Sequence, residues 1–220
     1  MKDRTGLDSV TLRQRHWDAA YTDRGEQVSW HQTDPRLSVE LIEAVARAGT
    51  GRDGPVIDVG GGTSRLASRL VNEGFTDVTV LDMASTALET ARRRPGGDRI
   101  AWIQADLLTW RPSRRYQIWH DRAVFHFLTK PAERAAYVAT LLATLAPGGA
   151  LVLATFAPDG PTHCSGLPVD RYAADDLAEE LNAGLATHHS AITITAQQTE
   201  QHHTPARAIQ SFTWLTARLT

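Results

Sequence analysis

Cysteine is almost missing from this sequence, since Cys164 is the single one in 220 residues. A lone cysteine excludes a disulfide within the chain and favours a reducing compartment. Long apolar runs are missing too, because no stretch approaches the roughly 18 residues of a membrane-spanning helix. The opening residues MKDRTGLDSV also lack the apolar core of a signal peptide. We therefore expect a cytoplasmic protein without a membrane partner.

An excess of charge of either sign is missing as well. The 23 basic and 25 acidic residues give a net charge of −2, and the isoelectric point is near 6.5. Proteins that bind phosphate backbones usually carry a clear basic surplus, so we expect no nucleic-acid partner. Hydrophobic residues make up 42% of the chain, which at this length is enough for one domain with a full core.

The nine histidines do not show the spacing of a metal site. The candidate groups are His120 with His126, His163 with Cys164, His188 with His189, and His202 with His203. None of them forms an H-x-x-x-H or a paired C-x-x-C motif, and adjacent histidines in a strand point to opposite faces. We therefore predict no metal ion.

Short apolar runs alternate with helical patterns through the middle of the chain. Five runs are predicted as strands, with the sequences VIDVG, VTVLD, IAWIQAD, YQIWHD and ALVLATFA. Four helices are predicted around them, with the sequences SVELIEAVARAG, SRLASRLVNEG, STALETARRR and PAERAAYVATLLATL. This order predicts an α/β fold with a parallel sheet covered on both faces. The tail segments AITITAQQTE and QSFTWLTARL are predicted as a hairpin at the sheet edge.

A run of three glycines follows the first predicted strand in VIDVGGGTSRL. Gly60, Gly61 and Gly62 let the backbone approach a ligand closely, and the helix that starts near Thr63 presents free amides. An ordinary tight turn is the alternative interpretation. The dinucleotide fingerprint G-x-G-x-x-G is absent, because Arg65 stands where its third glycine belongs.

Acidic residues stand at the ends of three successive predicted strands: Asp58, Asp82 and Asp106. Carboxyl ends of parallel strands meet at one crevice. There Asp82 could accept from both hydroxyls of a ribose, and Asp106 from an exocyclic amino group. Each one alone could be a solvated loop aspartate, but the three in register favour a nucleoside site.

These motifs give the chain a resemblance, along nearly its whole length, to the class I S-adenosylmethionine-dependent methyltransferases. The matching stretches are DVGGGTS, VLD, QADLL and LAPGGALVLATF. The resemblance implies a three-layer sandwich whose seven-stranded, mostly parallel sheet has an antiparallel C-terminal hairpin strand. It also implies S-adenosyl-L-methionine as cofactor and S-adenosyl-L-homocysteine as product. The cofactor-binding residues implied in these stretches are Asp58, Gly60, Gly61, Gly62, Thr63, Ser64, Arg65, Asp82, Met83, Asp106 and Leu107.

The opening segment HWDAAYTDRGEQVSWHQ is similar to a narrower branch, which includes lysine methyltransferases that act on translation factors. That similarity assigns Trp17, Tyr21 and Trp30 to an arm that closes over the cofactor, where aromatic faces favour a sulfonium. Packing of an N-terminal helix onto the sheet is the alternative for Trp17. One domain is thus expected, with an arm at 1–35, a cofactor-binding core at 36–157, and a substrate loop and edge hairpin at 158–220.

The stretch IWHDRAVFHF ends the fourth predicted strand, where this fold places the methyl group. Asp121 is predicted to contact the cofactor or to act in catalysis. Arg122 could bind a carboxylate on cofactor or substrate, or pair with Asp121. Phe125 and His126 are predicted to face the substrate, with His126 either a general base or a hydrogen-bonded structural histidine. The Pro-Pro-aromatic motif of methyltransferases acting on planar amino groups is absent, which argues against nucleobase and glutamine amide substrates.

The Gly- and Pro-rich loop APDGPTHCSGLPVDRY leaves the carboxyl end of the fifth predicted strand, where long loops tend to be functional. It adds Cys164, Arg171 and Tyr172 as candidate substrate contacts, and the terminal hairpin adds His203.

The leading hypothesis is a methyltransferase for a small-molecule acceptor, such as a thiol or selenide that needs no strong base. A protein lysine N-methyltransferase and a cofactor-binding protein without turnover are the alternatives, and a nicotinamide oxidoreductase fits less well. The sequence leaves the acceptor and the oligomeric state open.

Overall fold

A seven-stranded sheet forms the centre of the computed structural model, which describes residues 9–49 and 51–220. The first eight residues lie outside the described part. They include most of the opening segment MKDRTGLDSV and the start of the arm expected at 1–35. The sheet consists of β1 (Val56–Val59), β2 (Val78–Asp82), β3 (Ile100–Gln104), β4 (Tyr116–Arg122), β5 (Leu145–Phe156), β8 (Ile192–His203) and β9 (Ile209–Leu219). A separate small hairpin pairs β6 (His163–Cys164) with β7 (Leu167–Pro168).

The strand order in the sheet is β3-β2-β1-β4-β5-β9-β8. The first five strands are parallel; Val59 of β1, for example, lies between Leu81 of β2 and Asp121 of β4. β9 runs antiparallel to both β5 and β8 and lies between them. The predicted sheet, mostly parallel with an antiparallel C-terminal hairpin strand, is therefore confirmed.

Six helices accompany the sheet in the described part of the chain. They are α1 (Ser9–Arg24), α2 (Arg36–Arg47), α3 (Leu66–Asn72), α4 (Ser85–Arg92), α5 (Pro131–Thr144) and α6 (Ala174–Ala186). The apolar side chains of α2, α3 and α4 belong to one core cluster, and those of α5 and α6 belong to a second one. The two clusters occupy opposite faces of the sheet, which gives the predicted three layers. In the described ranges no helix is long and apolar enough to cross a membrane.

Helix α6 is missing from the sequence-based prediction, which has the loop after β5 lead directly into the terminal hairpin. Its apolar residues Leu177, Ala178, Leu181 and Leu185 are all buried and recur at helical spacing. The signal was therefore present in ADDLAEELNAGLA. This helix covers the face of the sheet that the hairpin would otherwise leave open, since it contacts both β8 and β9.

The polar N-terminal segment forms the expected helical arm, α1, which packs against α4. The N-terminus of α4 has no side-chain cap of its own. Asp18 of α1 supplies one, because its Oδ1 accepts from the backbone N–H of Thr86 (3.2 Å) and from the Thr86 hydroxyl (2.8 Å). A carboxylate at a helix N-terminus is stabilising through both hydrogen bonding and the helix dipole. The arm is thus attached to the core by a shared helix cap.

This attachment can be tested with Asp18→Ala. The substitution leaves the α4 amides without their acceptor, so we expect the free energy of unfolding to fall by about 1 kcal/mol. Amide hydrogen exchange in the arm should accelerate at the same time. Asp23→Ala, at an exposed position of the same helix, is the matched control in urea unfolding. Equal effects of the two variants would contradict the shared cap.

Candidate functional site

A cleft lies between the arm and the carboxyl ends of β1 to β4. Its wall contains ten of the residues predicted for cofactor or substrate: Trp17, Tyr21, Trp30, Gly60, Asp82, Met83, Asp106, Leu107, Arg122 and Cys164. It also contains residues that were not predicted: Arg13, Leu81, Ala105, Leu108, Ala123, Val124, Phe127 and Leu128. Strand order reverses between β1 and β4, and open parallel sheets bind ligands at such a point.

Two positions of the glycine run after β1 require glycine, and a different neighbouring side chain lies close to each. Gly60 and Gly62 both have positive φ angles, 65° and 49°. A Cβ on Gly60 would lie 2.1 Å from Cγ2 of Val124, and one on Gly62 would lie 2.1 Å from the hydroxyl oxygen of Tyr21. The arm and the β4 turn therefore approach the loop more closely than any side chain would permit.

Asp58 lies behind this loop and does not line the main cleft. Its Oδ1 is 2.7 Å from Nδ1 of His120, and Nε2 of His120 is 3.1 Å from the Ser38 hydroxyl. A second, smaller cavity next to the cleft is lined by Asp58 and by Gly61, Thr63 and Ser64 of the loop. Of the residues predicted for the cofactor, these four thus lie around the smaller cavity.

Arg65 has a different position from the one predicted. Its guanidinium donates to Glu26 of the segment after α1, at 3.0 Å. Glu26 also pairs with Arg94, whose Nη1 donates to the carbonyl of Thr63 at 2.7 Å. Arg65 lines neither of the two cavities, and its described partner belongs to the arm.

Asp82 ends β2 with its carboxylate at the cleft. Its Oδ1 accepts from the backbone N–H of Ala84 at 2.8 Å. Burial raises the pKa of Asp82 to about 6, against the opposing effect of backbone hydrogen bonds that include those from Ala84 and Gly62. A buried carboxylate with free lone pairs is suited to accept from hydroxyl groups. Met83 follows it on the same wall.

Asp106 lies at the far end of the cleft, past β3, with Leu107 beside it. One carboxylate oxygen accepts from the backbone N–H of Leu108 at 3.0 Å, and the other pairs with the guanidinium of Arg13. Arg13 was not identified from the sequence. A signal existed, because Arg13, Trp17 and Tyr21 are spaced four residues apart and share one face of α1.

The arm contributes an aromatic wall to the cleft. Trp17 meets Trp30 and Phe127 edge to face, with ring centroids 5.8 Å and 5.0 Å apart, and Tyr21 meets Trp30 at 6.0 Å. Burial, and next the nearby Asp82 carboxylate, raise the pKa of Tyr21 well above its usual range, so this phenol stays protonated. The structure thus brings the three aromatic residues predicted for the arm together over the strand ends.

Asp121 was predicted to contact the cofactor or to act in catalysis, but its side chain points away from the cleft. It is fully buried on the α5 side of the sheet. The carboxylate accepts from the N–H groups of Val124 (2.8 Å) and Phe125 (3.2 Å) and from the Tyr137 hydroxyl (2.8 Å). Burial raises the pKa of Asp121 to about 7. The hydrogen bonds of the Asp121 carboxylate hold the turn after β4, in which Ala123 has a left-handed φ of 73°.

Arg122 faces the opposite way from Asp121, because successive residues of a strand alternate between faces. The alternative in which Arg122 pairs with Asp121 is therefore wrong. Nη1 of Arg122 donates to the carbonyl of Trp30 at 3.1 Å, and Nη2 lies 3.8 Å from a carboxylate oxygen of Glu200 in β8. Burial lowers the pKa of the guanidinium.

Phe125 and His126 do not line the cleft either. Phe125 packs against Tyr137 and Tyr172 in the core. His126 is fully buried, and its Nδ1 accepts from the backbone N–H of Phe156 at 3.3 Å. Burial, and next the charge of Arg122, lower the pKa of His126 to about 3. This arrangement matches the structural alternative for His126 and not a general base, which needs a pKa near the working pH.

The remaining predicted substrate residues are dispersed. Cys164 reaches the cleft, and burial raises the pKa of its thiol to about 11. Tyr172 is buried, while the exposed Arg171 donates to the carbonyls of Pro158 and Gly160. His203 lines a separate surface cavity. Within the described ranges there is no group of three or more His, Cys, Asp or Glu residues that could hold a metal ion.

Residues 56–149, which hold the glycine loop and both cleft aspartates, match the model of a methyltransferase domain. The whole described fold is shared with a magnesium protoporphyrin IX methyltransferase from Synechocystis PCC 6803. That comparison has a TM-score of 0.69 and 15% identity over 98% of this chain and 99% of the other. Residues 56–149 are thus similar to a methyltransferase domain, and the described fold is that of the solved class I methyltransferases. The resemblance inferred from its motifs is thereby confirmed.

Two further proteins are similar to this chain. The 1,6-didemethyltoxoflavin-N1-methyltransferase of Burkholderia thailandensis, solved with 1,6-didemethyltoxoflavin and S-adenosylhomocysteine, has a TM-score of 0.67 and 20% identity over 97% of this chain and 92% of its own. A trans-aconitate 2-methyltransferase of Methylobacterium radiotolerans is 37% identical over 112 residues, which are 49% of this chain. The match spans 40% of the length of that curated relative.

The role of His126 can be tested through pH. An unfolded chain takes up a proton at histidine near the ordinary pKa of 6.5, whereas folded His126 does so only near 3. The folded state therefore loses stability as the pH falls through this window. From neutral pH to about pH 4.5, we expect the free energy of unfolding to fall less in His126→Gln than in the unsubstituted protein. The difference should be on the order of 2 kcal/mol.

Urea unfolding at several pH values measures this difference. His188→Gln, at an exposed position, is the control and should leave the pH dependence unchanged. A pH-independent difference for His126→Gln would show that this histidine is not buried in its neutral form.

Proposed function

We propose that this protein transfers the methyl group of S-adenosylmethionine to a small-molecule acceptor. The observation that carries the proposal is the convergence of Asp82, Asp106, Gly60 and the aromatic arm on one cleft. Solved proteins of the same fold hold S-adenosylmethionine or S-adenosylhomocysteine. In this proposal the arm at 1–35 acts as a lid, 36–157 binds the cofactor, and 158–220 contributes to the acceptor site.

The adenosine end of the cofactor fits the side of the cleft formed by β2 and β3. Asp82 would accept from the two ribose hydroxyls and Asp106 from the adenine amino group. Met83 and Leu107 offer apolar surface to the faces of the base. Arg13 pairs with the Asp106 carboxylate and so holds it at this end of the cleft.

The amino-acid end of the cofactor fits the smaller cavity behind Gly60. That cavity is polar and is lined by Asp58, Ser64, His31 and Gln32 among others. Trp30, Gly60 and Arg122 line both cavities, so the sulfonium would lie at the junction of the two cavities, beside Trp17 and Trp30. Aromatic faces stabilise such a cation and exclude water from it.

Methyl transfer requires this chain mainly to align a nucleophile with the methyl group, which a sulfonium cofactor supplies already activated. The acceptor half of the cleft, formed by Val124, Phe127, Leu128 and Cys164, presents no ready base. Burial raises the pKa of the Cys164 thiol to about 11, and Asp121 and His126 point elsewhere.

An acceptor must therefore arrive with a free lone pair. Thiolates, selenide and carboxylates meet this requirement. One similar protein is a trans-aconitate 2-methyltransferase, and trans-aconitate is a carboxylate. A lysine side chain of a protein remains the second candidate, motivated by the similarity of the arm. The buried positive charge of Arg122 in the cleft disfavours an ammonium group there.

Cofactor binding tests the proposal directly. We expect S-adenosylhomocysteine to bind in calorimetry and Asp82→Asn to weaken it by about 10- to 100-fold, because one charged hydrogen-bond acceptor for the ribose is lost. Asp98→Asn, at an exposed position, is the matched control, and NAD is the control ligand. The proposal fails if neither sulfur compound binds more tightly than about 1 mM.

The acceptor class needs a separate assay. Transfer of a labelled methyl group into thiols, selenide, carboxylates and the proteins of a lysate divides the candidates. Label in small molecules alone supports the proposal, and label in lysine side chains favours the protein methyltransferase. Cofactor binding without any transfer would favour a non-catalytic cofactor-binding protein.

A further inference from the structure

The buried guanidinium of Arg122 has two donor groups without an acceptor. Its side chain is 9% exposed, and its Nε and Nη2 atoms have no hydrogen-bond partner among the described residues. Glu200 compensates its charge at 3.8 Å, which is too long for a hydrogen bond. The Glu200 oxygens instead accept from Gln32 (2.8 Å) and from the indole of Trp214 (2.9 Å). Buried donors left unpaired are costly, so this end of the cleft is incomplete without an acceptor group.

The orientation of this guanidinium is fixed before any ligand binds. Its plane lies over the ring of Phe212, with 4.4 Å between Cζ and the ring centroid, and its Nη1 is held by the carbonyl of Trp30. Nε and Nη2 together form one edge of the planar fork, which is the edge that can bind both oxygens of a carboxylate. A rigid fork of this kind loses little conformational freedom on binding.

The neighbouring His126 adds another unpaired donor. Its Nδ1 accepts from the backbone N–H of Phe156, so the proton of the neutral ring is on Nε2. That Nε2 is buried and has no partner among the described residues. His126 does not line the cleft, so the donors that face a ligand there are those of Arg122, and they call for a group with acceptor oxygens.

Arg122 lines both cavities, and the partners of its guanidinium come mainly from the C-terminal part of the chain. They are Glu200 of β8, Phe212 of β9 and the carbonyl of Trp30, and Cys164 of β6 lies near enough for the charge of Arg122 to act on its thiol. None of these comes from the glycine loop or from β2. The same part of the wall continues into the apolar residues Phe127 and Leu128.

We propose that Arg122 anchors the methyl acceptor through a carboxylate, and that the acceptor is a small carboxylic acid with an apolar body. This inference rests on the proposed methyltransferase function. The carboxylate held by Arg122 serves as an anchor, because hydrogen bonds from a guanidinium withdraw charge from its oxygens and make them poorer nucleophiles. The methylated atom lies elsewhere in the acceptor.

Calorimetry with the S-adenosylhomocysteine-bound protein tests the anchor. The probes are aromatic and unsaturated carboxylates such as cinnamate, each paired with its neutral amide. We expect a carboxylate of the set to bind more tightly than its amide, and Arg122→Gln to remove this preference with a loss of about 10- to 100-fold. Arg122→Lys, which keeps the charge without the fork, should lose less. Equal binding of acids and amides, or no binding of either, would overturn the proposal.

Glu200→Gln separates an anion site from a structural role of Arg122. The variant removes the negative charge beside the guanidinium and keeps a side-chain oxygen for Gln32 or Trp214. A ligand carboxylate should then bind more tightly, since like charges no longer oppose each other. Weaker binding of the acids to this variant would indicate that the ion pair only holds the fold.

A carboxylate could also come from the methionine end of the cofactor, and 5′-methylthioadenosine, which lacks that end, distinguishes the two sources. We expect Arg122→Gln to bind S-adenosylhomocysteine and methylthioadenosine as the unsubstituted protein does. A selective loss of S-adenosylhomocysteine binding would assign Arg122 to the cofactor and overturn the proposal. Acid binding that depends on Arg122, in a protein that binds neither sulfur compound, would retain the anion site and refute the methyltransferase function.

Discussion

The reversal of strand order between β1 and β4 is the constraint on which the candidate site depends. On one side of it the chain continues to β2 and β3, and on the other to β5, so the loops that leave the two strands diverge. The glycine run lies at the resulting crevice, so close to the arm and the β4 turn that neither Gly60 nor Gly62 has room for a Cβ. Side chains at Gly60 or Gly62 would push apart the elements that form the cleft.

The alternation of side chains at the end of β4 then determines which charged side chain faces the cleft. Asp121 points to the α5 face, where its carboxylate fixes the turn through three donors. Arg122 points to the other face, toward β8 and β9. The carboxylate of Asp121, which looks catalytic by its position in the chain, therefore supports the turn, and the neighbouring Arg122 lines the cleft. The acceptor half gains positive charge and loses a base, which favours acceptors that need no deprotonation.

The arm connects the separate parts of the site. Through Arg13 it reaches the Asp106 end of the cleft, through Asp18 it caps α4, and through Trp30 it contacts Arg122. Each contact joins residues more than 60 positions apart in the chain. Because single exposed ion pairs contribute little, the position of the arm depends on these contacts acting together with the aromatic packing of Trp17.

The sequence alone determined the five parallel strands, the C-terminal hairpin, the glycine loop, and the acids at the ends of β2 and β3. These features are local: hydrophobic periodicity, turn residues and the common direction of parallel strands are readable without knowing any distant contact. Sequence reasoning also found the aromatic arm, through a resemblance. It missed α6, although the helical spacing of its leucines was visible.

Tertiary structure alone decided where the charged residues of IWHDRAVFHF point. Alternation along a strand shows that Asp121 and Arg122 face opposite sides, but not which side is the cleft. That choice follows from which helices cover each face. One donor to Asp121, the Tyr137 hydroxyl, comes from α5, and the ionic partner of Arg122 comes from β8. Contacts between segments so distant are set by packing of the whole domain, and no local pattern encodes them.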